Sequence, residues 1–558
     1  MISIECLLER LEAARVSFGP GAATHMEMLL EECEHREFAS PDLLARLHEA
    51  VLFARAYPHS PKVRRRAERI LSRFERRVRG LRDRGVDLTS LEEPEISGIA
   101  GTGLSAILSY GTVRDLAVRW APAIDIEWDA LERDAPLARA LPRMLPGLAE
   151  EALVEPEVAS REWVHAAAGR QSTLAWLLAR LESVPFAEAV HLYDSMELML
   201  RWDLRRSAAS RTRTRLRVSR TYYHRGPLLR RRDVDPVAIL NEPVPLPAPL
   251  SRREAERILR LARDTSAVRY RELHGFTFGD PARVRWAEVG RGVEIYITVV
   301  PPAHRLPLRA YHAGMCFKNG IPIGYVEGLS LFERMEVGFN LYYTFRDGES
   351  AWLYAQIMRL FHHLAGITCF WVDPYQIGHE NEEAIESGAF WFYRKMGFRP
   401  VVPACAALCS REEVRLARMP GARTTPATLR RLAAGAMVYE SESRHRGDWD
   451  RFQLRNVGVA IEREVAVRFD GDRGRWRAHL SARLGELLGL EEPDIRQGES
   501  LAAAAGLIRD LEAWPAPSRR SLADIVRAKG GVDETRCLRL SQQHTRFREF
   551  LLRLGSRG

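Results

Sequence analysis

Two carboxylates, one glycine turn and a crowded polar loop carry the chemistry this sequence can support. Glu336 opens EVGFNLYYTF (336–345), where Val337, Phe339, Leu341 and Tyr343 alternate with Glu336, Gly338, Asn340, Tyr342 and Thr344. Such alternation puts the second set on the wetter face of a strand. A carboxylate half-buried there has its pKa raised toward values useful in a general base, and Glu327 in IPIGYVEGLSL (321–331) is a second candidate. Arg346, Asp347 and Gly348 form a turn, and Glu349 and Ser350 start a helical stripe, so this stretch reads either as an anion site on a helix N-terminus or as a plain helix start capped by Asp347. The loop DPYQIGHENEEAIES (373–387) gathers Tyr375, Gln376, His379, Glu380, Asn381, Glu382 and Glu383. These side chains suit a cationic group; the acidic run equally suits a solvated helix start. Tyr393 lies on an apolar helical face with Ala389, Phe390, Phe392 and Met396, and taken alone is a core aromatic with a satisfied hydroxyl.

The elements that position these residues follow in order. Leu308–Phe317 and Ile321–Leu331 are apolar runs joined through Lys318, Asn319 and Gly320, and Asn-Gly predicts a β-hairpin because both residues tolerate positive φ. The strand from Glu336 comes next. Ala351, Tyr354, Ala355, Met358, Phe361 and Ala365 then mark one stripe of a helix over 349–365 that Gly366 closes. Ile367–Val372 reads as a short buried strand, and after the polar loop a helix over 389–396 stops at Gly397, with Pro400 beyond.

That order, with the A-x-x-x-Y-x-x-x-G-F spacing of Ala389, Tyr393, Gly397 and Phe398, resembles the acyl-CoA N-acyltransferase fold of the GNAT superfamily of N-acetyltransferases over about residues 308–401. The resemblance implies transfer of an acyl group, acetyl above all, from acetyl-CoA or another acyl-CoA to a small-molecule or peptide amine. It implies Tyr393 as the acid that protonates the departing thiolate, with Glu336 or Glu327 as base. Arg346, Gly348, Glu349 and Ser350 fall on the turn that wraps the coenzyme A pyrophosphate in the family, and Tyr375, Gln376, Asn381 and Glu382 become acceptor contacts. The chain departs from the pattern at Phe345, where the family has Gln or Arg, at Ser350 in place of a second small residue, and at Glu386 in place of a cofactor-binding Asn. Fold relatives that take amino acids from aminoacyl-tRNA supply a second expectation, and a non-catalytic binding protein a third.

At 558 residues and 46% hydrophobic composition the chain has room for several cores. The expected architecture is α+β: a mainly helical region 1–240, in one or two units, a proline-rich spacer 241–250 (EPVPLPAPL), a GNAT-like mixed-sheet domain 251–440 opened by a Ser251/Glu254 capping box, and a helical region 441–558. Glu151–Leu200 is patterned as helix, and Gly98, Gly101 and Gly103 as a turn before a helix. No run reaches the eighteen apolar residues of a membrane span, and the first residues lack a signal-peptide pattern. Seven cysteines without a paired zinc spacing suit free thiols, so a cytoplasmic protein with no metal is expected. The net charge is +9, with Lys only at 62, 318, 395 and 529. Of the basic runs, 62–84 reads as an amphipathic helix; 205–232 (with RTRTRLRVSRTYYHR) reads as a flexible linker or as an extended phosphate-binding segment for tRNA.

Overall fold

The structure is a computed structural model that describes residues 2–148, 158–244, 247–419 and 421–557. It is a mixed α+β protein built on a nine-stranded sheet. In chain order the sheet's strands are β4 (Ala248–Pro249), β5 (Arg285–Gly290), β6 (Val293–Thr298), β7 (Ala310–Lys318), β8 (Ile321–Leu331), β9 (Arg334–Leu341), β10 (Cys369–Val372), β11 (Arg399–Pro400) and β12 (Met437–Glu440). Their spatial order is β11-β12-β10-β9-β8-β7-β6-β5-β4. Every neighbouring pair is antiparallel except β9 and β10. That pair is parallel because the helix Ser350–Ala365 carries the chain back across the sheet between them.

Two layers cover this sheet, which explains why all nine residues of β7 are buried. Tyr311, Ala313, Met315 and Phe317 point to the helix Arg252–Ala267, meeting Ala255, Ile258, Leu259 and Ala262. Cys316 faces the other way, into the core that holds Ala351, Tyr354, Ala355, Met358 and Phe361 of the long helix. The same core continues into the N-terminal helices through Leu44, Val51, Phe53 and Tyr57. A separate C-terminal core gathers Leu480, Leu484, Leu488, Phe547 and Leu551.

The predicted hairpin is β7 and β8, with Asn319 and Gly320 at φ values of 50° and 79°. Its turn is buried, contrary to the habit of hairpin tips. The Asn319 amide donates to the carbonyls of Ala56 (2.8 Å) and Tyr222 (3.0 Å), and its carbonyl accepts from the Tyr222 N–H. The Gly320 carbonyl accepts from the Leu216 N–H at 2.7 Å. The Ser251/Glu254 capping box opens the helix Arg252–Ala267. In the proline-rich spacer, Ala248–Pro249 pairs with Arg285 and Trp286 at the sheet's edge, where a proline breaks no ladder, while residues 245–246 lie outside the described residues.

In its described residues, region 1–240 is mainly helical, with one addition to the expectation. It contains a three-stranded antiparallel sheet, β1 (Gly103–Ile107), β2 (Ile124–Ile126) and β3 (Met199–Asp203), in the order β1-β3-β2. The helical patterning of 151–200 stops at Met196; Leu200 and Trp202 are buried while Arg201 is exposed, a period of two that a run of leucines conceals. Residues 149–157 lie outside the described residues. The turn at Gly98 and Gly101 leads into strand β1 rather than a helix, with φ values of 89° and 99°. No helix among the described residues is long and apolar enough to cross a membrane.

A β-carbon at Gly320 would sit 2.4 Å from the Leu216 carbonyl oxygen, on a backbone L side chains rarely adopt. Gly320→Val is therefore expected to cost more than about 2 kcal/mol of stability in urea denaturation, and an unchanged midpoint would show that the turn is not held by its burial.

Candidate functional site

Strands β9 and β10 pair through only three residues, Arg334 with Cys369, Met335 with Phe370 and Glu336 with Trp371. Beyond Glu336 the two diverge. Val337–Leu341 keep β8 on one side and have no strand partner on the other among the described residues. A cavity of about 300 Å³ occupies this opening. Of the catalytic, cofactor and acceptor candidates named from the sequence, six line it, Arg346, Ser350, Tyr375, Gln376, Asn381 and Tyr393, and Glu383 of the polar loop joins them.

Tyr393 arrives on the short helix Ala389–Lys395, whose arrest at Gly397 (φ 98°) follows the predicted stop. The side chain is 3% exposed, and burial pushes its phenol up, so it stays protonated across the neutral range. Its ring packs edge-on against Tyr354, 5.4 Å between centroids, and against Phe398. The Tyr354 hydroxyl is buried with no hydrogen-bond partner among the described residues. Asn381 caps the helix Glu382–Glu386: its carbonyl accepts from the Ala384 N–H and its amide donates to the Tyr375 carbonyl at 3.0 Å. The cap fixes the loop that carries Tyr375 and Gln376.

Three further polar groups join the cavity from elsewhere in the chain: Arg271, Tyr325 and Asn340. Tyr325 and Asn340 are cross-strand partners on β8 and β9, and burial pushes the Tyr325 phenol up to about 12. Glu383 joins two arginines. Arg271 donates to it at 3.0 Å and Arg346 donates to its other oxygen. Burial works to raise its pKa, yet the two guanidinium groups hold its carboxyl below the usual range. Arg346 also lies over the Tyr343 ring, 3.8 Å from the centroid.

The remaining sequence candidates sit elsewhere. Glu327 is one position from the cavity, opposite Gly338, and accepts a hydrogen bond from the Tyr311 phenol. A β-carbon at Gly338 would meet only Gln376 Nε2 at 3.8 Å and Glu327 Cβ at 3.9 Å, so open space connects this carboxylate to the cavity wall. Glu336 lies further along the same face and is held by Arg309 at 3.0 Å. Glu382 turns outward to a bidentate pair with Arg430 (2.7 and 2.9 Å) and does not line the cavity.

Gly348, half-buried against Tyr57, and Glu349, buried beneath the N-terminal region, do not line the cavity. A β-carbon at Gly348 would lie 2.6 Å from the Tyr57 hydroxyl. Glu349 is 3% exposed, and its carboxylate accepts from the Leu229 N–H (3.1 Å) and from Arg291 (2.9 Å to Nε), with Lys318 Nζ at 3.5 Å. Asp347 is occupied by Arg15 at 2.6 Å. Spacing within 345–350 gives no hint of this cover, because Tyr57, Leu229 and Arg291 are remote in sequence. The alternation that set Asn340 beside Glu336 and Gly338 is the one cavity signal among the three newcomers that the sequence carries.

Part of the basic segment 205–232 is likewise engaged. Arg211, 3% exposed, pairs with Glu49 at 2.7 Å, Arg213 with Glu75 and Arg215 with Glu68. These three arginines fasten residues 211–215 to the N-terminal helices, whereas Arg206, Arg217, Arg220, Arg225 and Arg230 of the same segment are exposed. No group of three or more His, Cys, Asp or Glu side chains suited to a metal ion occurs among the described residues.

No protein-family profile, curated protein or solved structure matches this chain.

Lys318 gives the buried cluster a measurable signature. Burial pulls its pKa down from 10.5 to about 7, opposed by Glu349. Between those values the unfolded chain holds a proton that the folded chain has lost, so this lysine's contribution to stability rises with pH. The stability difference between the native protein and Lys318→Met is expected to move in the native protein's favour from pH 7 to 10; a pH-independent difference in urea melts would contradict the burial.

Proposed function

We propose that the chain is an acyltransferase that takes a thioester donor, of which acetyl-CoA is the simplest, into the opening between β9 and β10. The observation that carries this is the parting of the two parallel strands over a cavity that contains Tyr393. The side of Val337–Leu341 away from β8 has no strand partner among the described residues and can take an extended, amide-bearing chain as a further strand would, apart from the Leu341 carbonyl, which accepts from Arg346 Nε at 3.3 Å, while Phe339 and Phe392 line its apolar part. The strand order, the helix between β9 and β10 and the A-x-x-x-Y-x-x-x-G-F helix support the likeness to the GNAT superfamily.

Tyr393 supplies the proton. It is neutral and buried beside the opening, so it protonates the thiolate as the thioester carbon–sulfur bond breaks and the acyl group passes to an amine. Glu327 takes the proton from the attacking amine across the space left by Gly338. The donor's anionic end is met by Arg346 and Ser350, the members of the turn that reach the cavity, since Gly348 and Glu349 are covered. This covered turn also favours a second reading, in which the domain binds a ligand without transferring an acyl group.

Two measurements separate them. Acetyl-CoA at about a hundred times its Kd should stabilise the fold by about 2.7 kcal/mol in thermal unfolding, and Ser387→Trp, at an exposed position of the cavity rim, should remove the effect. No shift with the native protein rejects the acyl-CoA donor. Tyr393→Phe should leave that shift in place and slow thiol release from acetyl-CoA by about 100-fold; unchanged release rejects the acid role and favours the binding protein.

A further inference from the structure

Two cavities outside the acyl opening meet at Trp120 and at Ser207–Ala208. One, of about 930 Å³, lies between the segment 208–215 and the helix Arg252–Ala267, with five arginines against two carboxylates. The other, of about 880 Å³, has five arginines against three carboxylates. Most of those acids are already committed. Glu254 caps its helix through Ser251, Asp264 and Asp203 are paired with Arg119 and Arg205, and Glu75 is shared by Arg79 and Arg213.

A row of unpaired charge lies on one helical face. Arg253, Arg257 and Arg260 are exposed and occupy positions i, i+4 and i+7 of the helix Arg252–Ala267, spaced about 6 and 4.5 Å along its axis. No carboxylate of the described residues lies within 4.0 Å of Arg253, Arg257 or Arg206, and Arg260 reaches Glu256 only at 3.8 Å. Like charges at these spacings destabilise an isolated helix. A bound polyanion removes that repulsion and gains from counterion release. Trp120 borders both cavities, placing an aromatic surface in the middle of the basic track.

We propose that this track binds a single-stranded nucleic acid, its phosphates on Arg253, Arg257 and Arg260 and its bases passing Trp120. Regularly spaced guanidinium groups recognise a regularly spaced phosphate backbone, and an aromatic face between them accepts a base that duplex pairing would hide. This goes beyond acyl transfer and stands independently of it. It also differs from the expectation for 205–232: the row of three proposed phosphate contacts comes from the helix after the proline-rich spacer, and of that segment's arginines Arg205, Arg206, Arg213 and Arg215 border the track, Arg205 being paired to Asp203.

Fluorescence anisotropy with a labelled oligouridylate tests it on the full chain. Binding is expected to weaken steeply between about 50 and 200 mM salt. The triple variant Arg253→Glu, Arg257→Glu, Arg260→Glu should bind at least about tenfold more weakly; the neutral Arg→Gln triple variant should reduce the slope of log K against log salt by about 2, as loss of three phosphate contacts requires. Circular dichroism melts of both variants establish that they fold, the positions being exposed. No binding at about 50 mM salt, or unchanged affinity in folded variants, overturns the proposal. Equal affinity for duplex DNA overturns the single-strand assignment, and equal competition by polyglutamate at matched charge overturns the nucleic-acid assignment.

Discussion

The carboxylate of Glu349 is the contact on which the arrangement around the sheet depends. It is buried at the first turn of the long helix and draws together parts of the chain with no sequence proximity: Arg291 from the β5–β6 turn, Lys318 from the end of β7 and the backbone of Leu229. Burying a carboxylate alone is prohibitive, and removing one partner from such a group typically costs about 3–5 kcal/mol. Arg291 must therefore accompany Glu349 inward, with the Lys318 amine beside it, and with them the hairpin tip, whose Asn319 is satisfied by Ala56 and Tyr222. The N-terminal helices are thus fixed against the rim of the sheet by charge and hydrogen bonding, in addition to the shared apolar core.

The same constraint shapes the candidate site. Because the helix start is closed by Tyr57 and Glu349, the open part of the β9–β10 region is confined to the side bearing Arg346 and Ser350. Arg346 is itself restrained by Glu383, which also holds Arg271, so one carboxylate fixes two guanidinium groups beside the cavity. Tyr393, in the same lining, is held by aromatic packing with Tyr354 and Phe398. A phenol held in aromatic packing and a pinned pair of cations give the lining two chemically distinct parts. It is on this combination that the proposal of a thioester donor with an anionic tail rests.

Much of the scaffold was legible in the chain because it rests on local rules. Asn319-Gly320 specifies positive φ and hence the hairpin, Gly366 and Gly397 stop their helices at left-handed positions, and Ser251 with Glu254 forms its cap by contacts three residues apart. The site was legible only where it comes from one stretch of chain, such as the loop of Tyr375 and Asn381. Arg271 and Tyr325 enter through strand pairing and helix packing, which no spacing within 308–401 encodes. Gly348 and Glu349 mark the reverse case: the local pattern fits an anion-binding turn, and a remote tyrosine fills the space. In the N-terminal region, β3 was hidden because Met199-Leu200 continues a helical leucine pattern, and only the alternate burial of Leu200 and Trp202 reveals the strand.

The central claim is that the open edge of β9 receives an acyl donor. Amide hydrogen exchange across Val337–Leu341, measured with and without saturating acetyl-CoA, addresses it at the backbone groups concerned. The account predicts slower exchange in this segment and in the helix carrying Tyr393 when acetyl-CoA is present. Exchange that is unchanged there, or slowed only at residues distant from the β9–β10 opening, would contradict it.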